Sequence, residues 1–162
     1  MGRLQREVFI NAPPAAVFAF LAEPERLPTW TPGVIAVRRT SPGPVGVGTT
    51  TETQVEAFGV QQTLLGRCIA FDAPRTLSVQ NVTATPIKVG GVTVGTITTI
   101  STSVLAPEGA GTRLRASLDY QLGSGFMASI AEGIAGPKMQ ADFDTSLQNL
   151  KRLLEQAQAP GG

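Results

Sequence analysis

What most constrains the fold of this chain is its last long stretch, FMASIAEGIAGPKMQADFDTSLQNLKRLLEQ, from Phe126 to Gln156. Met139, Phe143, Leu147, Leu150 and Leu154 recur at helical spacing on one narrow face, while Asp142, Asp144, Lys151, Arg152 and Glu155 fall elsewhere. A helix with one apolar stripe must bury it against other elements, and nearly everything before it reads as strands. Two features divide the stretch. Pro137, after Gly136, lacks a backbone donor and predicts a kink or a break. The apolar phase also slips there. On an ideal helix run straight through, Ile130 and Ile134 leave the stripe, and Glu132 and Gly136 join it. The expectation is therefore two segments. Met139–Leu154 forms a core helix. The earlier half, with Ala128, Ala131, Gly133, Ala135 and Gly136, has small side chains that leave room for a ligand, and Glu132 turns to solvent.

The strands are read from period-two alternation. Residues 3–10 place Leu4, Arg6, Val8 and Ile10 on one parity. Asn11 or the Pro13-Pro14 pair then starts a short helix with Val17, Phe18 and Leu21 at helical spacing. A second short helical turn ends near Trp30. From Val34 the period returns to two. Thr51, Thr53 and Val55 oppose Glu52, Gln54 and Glu56, Gly59 marks a hairpin, and Leu64, Gly66 and Cys68 face inward with Arg67 outward. Leu77 and Val79 share a parity. Residues 82–91 are interrupted by Pro86 and Gly90-Gly91. VTVGTITTISTSVLA reads as one long strand, and TRLRASLDYQL has Leu114, Ala116, Leu118 and Tyr120 on a single face. A sheet with one apolar and one polar face is solvated on one side and covered on the other. The domain expected is a single one over 1–157, with a flexible tail over 158–162.

Composition narrows the chemistry. There is no histidine, so no Ser-His or Cys-His pair and no His-based metal site can form. The single cysteine, Cys68, rules out an internal disulfide and reads as a small buried hydrophobe. Acidic pairs such as Asp142 and Asp144 lack metal-ligand spacing, so neither a metal nor a cofactor is expected. The glycines match no phosphate-binding loop. A formal charge of +1 with interspersed signs argues against nucleic acid and against an anionic membrane surface. No apolar run is long enough to span a bilayer, so no stable membrane insertion is expected. The start of the chain lacks an apolar signal core, so a cytoplasmic protein is the expectation.

The order of strand, two short helices, about six to seven strands and a long helix resembles the START-like, or SRPBCC, superfamily with its helix-grip fold. The likeness rests on four stretches in the right order. INAPPAAVFAFLAEPERLPTW is similar to the family's opening, FDAPRTL to its turn into the central strand, GTRLRASLDY to a characteristic late strand, and SLQNLKRLLE to its terminal helix. The resemblance implies an α+β fold, a curved antiparallel sheet gripping the C-terminal helix with a cavity between them. It also implies a small hydrophobic ligand such as a lipid, polyketide or quinone. The expected state of the chain is a monomer or homodimer, which the sequence leaves open. The Gly/Ala-rich run over 123–136 is also similar to accessory proteins of carbon monoxide dehydrogenase, which implies an accessory role as an alternative. A polyketide cyclase or aromatase is the other.

Given such a cavity, the inward parities nominate Val55, Leu64, Cys68 and Val79 from the sheet, and Phe126, Ile130 and Ile134 from the helix's first half. Trp30 is either a lid over the mouth or a packing anchor. Thr99 and Ser101 turn inward if Leu105 pairs with Leu114, and the other register places Thr98, Ile100 and Thr102 inside. Tyr120 is the best candidate for a catalytic group, a phenol able to polarise a carbonyl or move a proton. Its other reading is a core residue whose hydroxyl reaches the cavity rim.

Overall fold

The computed structural model describes residues 2–57, 59–89, 91–123 and 125–158. Strand β1 (Gly2–Ile10) leads into helix α1 (Pro14–Leu21), a 3-10 turn (Pro24–Arg26) and helix α2 (Leu27–Trp30). Strands β2 (Val34–Arg39), β3 (Thr50–Ala57), β4 (Val60–Asp72) and β5 (Thr76–Thr83) follow. A small hairpin, β6 (Ile87–Val89) and β7 (Val92–Gly95), precedes β8 (Ile97–Glu108), β9 (Gly111–Leu122) and helix α3 (Gly125–Gln158). Seven strands form one antiparallel curved sheet in the order β1-β9-β8-β5-β4-β3-β2, and β6 pairs only with β7. This is the α+β helix-grip architecture, with α3 laid across the concave face.

The register follows the alternation. Leu105 stands opposite Leu114, which turns Thr99, Ser101 and Ser103 to the concave side with Leu118 and Tyr120. Arg6, on the inward parity of β1, meets Asp144 of α3 through an Nε–Oδ1 hydrogen bond of 2.8 Å, so the charge is paired where it faces the helix. A bulge between Cys68 and Ala70 shifts β4 and sets Phe71 opposite Leu77, where its ring packs edge-on against Phe18 at 5.1 Å.

Two expectations are corrected. The stretch 92–106 is not one strand. Gly95 adopts φ +86°, a left-handed conformation that ends β7, and the chain re-enters the sheet only at Ile97. The C-terminal helix is not two segments either, because α3 is continuous for 34 residues with Pro137 inside it. The carbonyl that Pro137 cannot serve belongs to Gly133, one turn earlier, and both residues are exposed. Water can satisfy that carbonyl on the solvent side, so the missing bond does not break the helix. The buried stripe also stays in phase. It runs through Ala131 and Ala135, passes half-buried Met139 and Phe143, and ends in buried Leu147, Leu150 and Leu154. Glu132, beside this stripe, is half-buried rather than turned out. The helix includes Gln158, and residues 159–162 of the expected tail lie outside the described residues.

The core has two centres. The larger joins Ile10, Val17, Phe18, Leu114, Leu150 and Leu154 beneath the second half of α3. The smaller joins Leu4, Ile87, Tyr120, Leu122, Ala131 and Ala135 beneath the first half.

Candidate functional site

Beside the smaller core centre lies a cavity of about 170 Å³ between the concave sheet and α3. Its floor is built from inward positions of consecutive strands. Val55 of β3, Leu64 of β4, Thr83 of β5, Ile97 of β8 and Leu122 of β9 supply most of it. The last four form one cross-strand row, since Leu64 pairs with Thr83 and Ile97 with Leu122. Ala135 and Met139 of α3 form the roof. The β6 strand closes one side with Ile87, while Lys88 stands exposed at the rim. Val60, after the Gly59 turn, marks the mouth and is 43% exposed.

The polar groups are few and grouped. Thr83 Oγ1 is engaged, accepting the Ile97 N–H at 2.9 Å. Asn81 and Thr99, directly opposite each other, line the inner part, and neither makes a side-chain hydrogen bond among the described residues. Gln62 lies towards the mouth. Gly66, opposite Asn81, has no Cβ. A carbon there would stand 2.7 Å from Asn81 Oδ1 and closer still to Thr51 Oγ1. These two side chains thus already occupy the space over Gly66, and a larger residue there would have to displace them.

Three of the nominated residues, Val55, Leu64 and Thr99, line the cavity. Ser101 shares their face by register but is exposed and lies outside the lining, because α3 packs on β1, on the β6–β7 hairpin and on β9 and leaves β8 uncovered there. Cys68, Val79 and Trp30 belong to the larger core centre. Trp30 is a packing anchor, half-buried, and its carbonyl accepts a 3.1 Å hydrogen bond from Asn149 Nδ2 of α3. Phe126 and Ile134 point outward, 78% and 41% exposed, and Ile130 is half-buried away from the lining. Their places on the ligand side are taken by alanine and methionine. Alanine at i, i+4 spacing is the available signal, masked by the larger isoleucines beside it. Ile87 and Lys88 carry no signal, since only tertiary packing brings the β6–β7 hairpin to the helix.

Tyr120 is buried, but its ring crosses Gly2 of the edge strand β1 and fills the space that a side chain at Gly2 would need. Its hydroxyl therefore points to the sheet edge, away from the cavity on the β8 side. Burial pushes the Cys68 thiol above its ordinary value, a shift partly offset by the Ala70 backbone, and the neutral thiol donates to the Ala70 carbonyl at 3.4 Å. Neither group is placed to act on a molecule in the cavity. A broader depression on the outer sheet face is walled by Glu52, Arg67 and Gln80, but it is shallow and Glu52 is already paired with Arg38. Among the described residues no three Asp, Glu or Cys side chains gather to hold a metal, and no helix is long and apolar enough to cross a membrane.

Comparison with solved structures finds this fold elsewhere. TTHA0849 from Thermus thermophilus is 20% identical, with a TM-score of 0.73 over 98% of this chain and 100% of that one. A protein from Rhizobium leguminosarum is 19% identical, with a TM-score of 0.70 over 96% and 95%. Ara h 8.0201 is 15% identical, with a TM-score of 0.66 over 94% and 97%. At these identities the likeness concerns the fold alone. No curated protein sequence matches. The family described as polyketide cyclase / dehydrase and lipid transport matches residues 1–155. That match spans nearly the whole chain, and the chain belongs to this family.

Proposed function

We propose that the protein binds a small hydrophobic molecule between its sheet and α3. Its role is carriage or sequestration rather than turnover. The observation that carries this reading is the cavity of about 170 Å³, floored by Leu64, Ile97 and Leu122 and roofed by Ala135 and Met139. Apolar walls with a few convergent polar groups are the usual make-up of a small-molecule site. Family and fold fit a hydrophobic-ligand binder. The binding reading is favoured over a catalytic one because, among the described residues, none of the side chains lining the cavity is a carboxylate, thiol or phenol.

The test is native mass spectrometry of gently purified protein, followed by displacement of a fluorescent apolar dye by aromatics, quinones and fatty acids. Wild type is expected to bind the dye, and at least one class is expected to displace it. Ala135→Leu, which drives an isopropyl group into the cavity, is expected to abolish binding while the far-ultraviolet circular dichroism is retained. Dye uptake unchanged in Ala135→Leu would remove this cavity as the site.

A further inference from the structure

We infer that the ligand is a monocyclic aromatic acid, its ring over the Leu64–Ile97–Leu122 floor, its anionic group at Lys88 and a hydrogen-bonding substituent towards Asn81 and Thr99. This rests on the hydrophobic-ligand reading above and narrows it.

Size comes first. A dry cavity of about 150 Å³ holds benzene, whereas drug-sized sites run from about 300 Å³ upward. At about 170 Å³ the space here matches one ring with short substituents. A sterol or a fused polyketide exceeds it.

Polarity comes second, and it is arranged end to end. Along β5 the inner Asn81 is followed by Thr83, after which the chain leaves the sheet and reaches Lys88 on β6. Same-face neighbours on a strand stand about 7 Å apart. The Asn81–Thr99 pair is therefore one step inward of the apolar row, a spacing comparable with the width of a ring. Asn81 and Thr99 line the cavity and make no side-chain hydrogen bond among the described residues, and the missing Cβ at Gly66 lets Asn81 Oδ1 sit where it does. A phenolic or alcoholic hydroxyl would donate to that oxygen, and Thr99 can donate in return.

Charge comes third. Lys88 is the one ionisable residue lining the cavity among the described residues, and it forms no ion pair with any of them. Elsewhere on this protein the arginines of β1, β2 and β9 are paired with carboxylates. An unpaired ammonium at the rim of an apolar cavity attracts an anion and repels an amine.

Calorimetric titration of the full chain with 4-hydroxyphenylacetate, 4-hydroxyphenylacetamide, phenylacetate and palmitate tests each part. Wild type is expected to prefer the hydroxylated acid to its amide by about fivefold, the upper range for a solvent-exposed charge pair. Lys88→Gln, a change at an exposed position, is expected to erase that preference. Gly66→Ala is expected to cut the advantage of 4-hydroxyphenylacetate over phenylacetate. Equal binding of acid and amide, or a preference that survives Lys88→Gln, overturns the anionic assignment while the hydrophobic-ligand reading stands. Binding of palmitate without either aromatic acid overturns the one-ring size, again leaving that reading intact. Absence of binding by all four, together with absence of dye uptake, removes both.

Discussion

Cys68 illustrates how a residue's surroundings set its chemistry. The thiol is buried, its proton is held by desolvation, and its sulfur donates to the Ala70 carbonyl across the β4 bulge. Modification by a thiol reagent at pH 8 is expected to be about tenfold slower, or more, in the folded protein than in urea, as followed by mass shift over time. Equal rates would mean that the site is open. Glu155 is the opposite case. Hydrogen bonds from Lys151 Nζ at 2.7 Å and from the Asn11 N–H at 2.8 Å hold its carboxyl below the ordinary 4.5. A depressed carboxylate stabilises the fold above its unfolded value, and that contribution is lost as pH falls through 4.5 and lower. Urea midpoints between pH 7 and 3 should thus fall more steeply for wild type than for Glu155→Gln; parallel curves would show that the tie carries no stability. Tyr120 stands out in the sequence as the lone phenol on an inward parity. Which way its hydroxyl points depends on Gly2 across the strand pair, a contact made only on folding. Tyr120→Phe is expected to leave ligand affinity within about twofold of wild type by calorimetry, because the hydroxyl points away from the cavity.

At the scale of the element, α3 shows why a single-helix pattern is hard to read through a proline. Large apolar residues set the apparent phase, and Ile130 and Ile134 fall off the stripe. The residues that stay on it, Ala131 and Ala135, are small, so the continuity is written in side chains with a weak hydropathy signal. The helix is unbroken, and Met139, expected in the core half, roofs the cavity together with Ala135. Leu147, Leu150 and Leu154 fill the larger core, and the two alanines leave space under the first half. Pro137 sits on the solvent side, where it still costs the helix one backbone hydrogen bond. Pro137→Ala is expected to stabilise the protein by about 1 kcal/mol, less than the full penalty of about 3 kcal/mol because the proline also restricts the unfolded chain. Chemical denaturation checks this, and a lower midpoint would show that the proline is needed where it stands. The strands are more legible. Alternation places Leu114 and Leu105 on inward parities, and a tight turn over Gly109 and Ala110 makes their pairing the natural register. The division of 92–106 is hidden because Gly95 sits in a composition that is otherwise uniformly β.

For the whole molecule, the two core centres are expected to carry separable duties. Leu150 is fully buried in the larger one, and Leu150→Ala is expected to cost about 2–5 kcal/mol of stability while folded protein retains its affinity for ligand. Ala135→Leu is expected to show the reverse, with ligand lost and stability close to wild type. Thermal denaturation and dye titration of both variants decide the matter, and coupled losses in both would mean one undivided core. Element order, the α+β class, the inward parities of the sheet and the absence of histidine chemistry are all legible in the amino acids alone. Each of these follows from local periodicity or from composition. Folding was needed to reveal where the cavity lies, that Lys88 reaches its rim, that Tyr120 turns away from it and that the helix runs unbroken past Pro137. Those outcomes depend on which distant side chains meet, on the space that small residues leave, and on which side of α3 faces water. Such contacts exist only once the strands have curled around the helix.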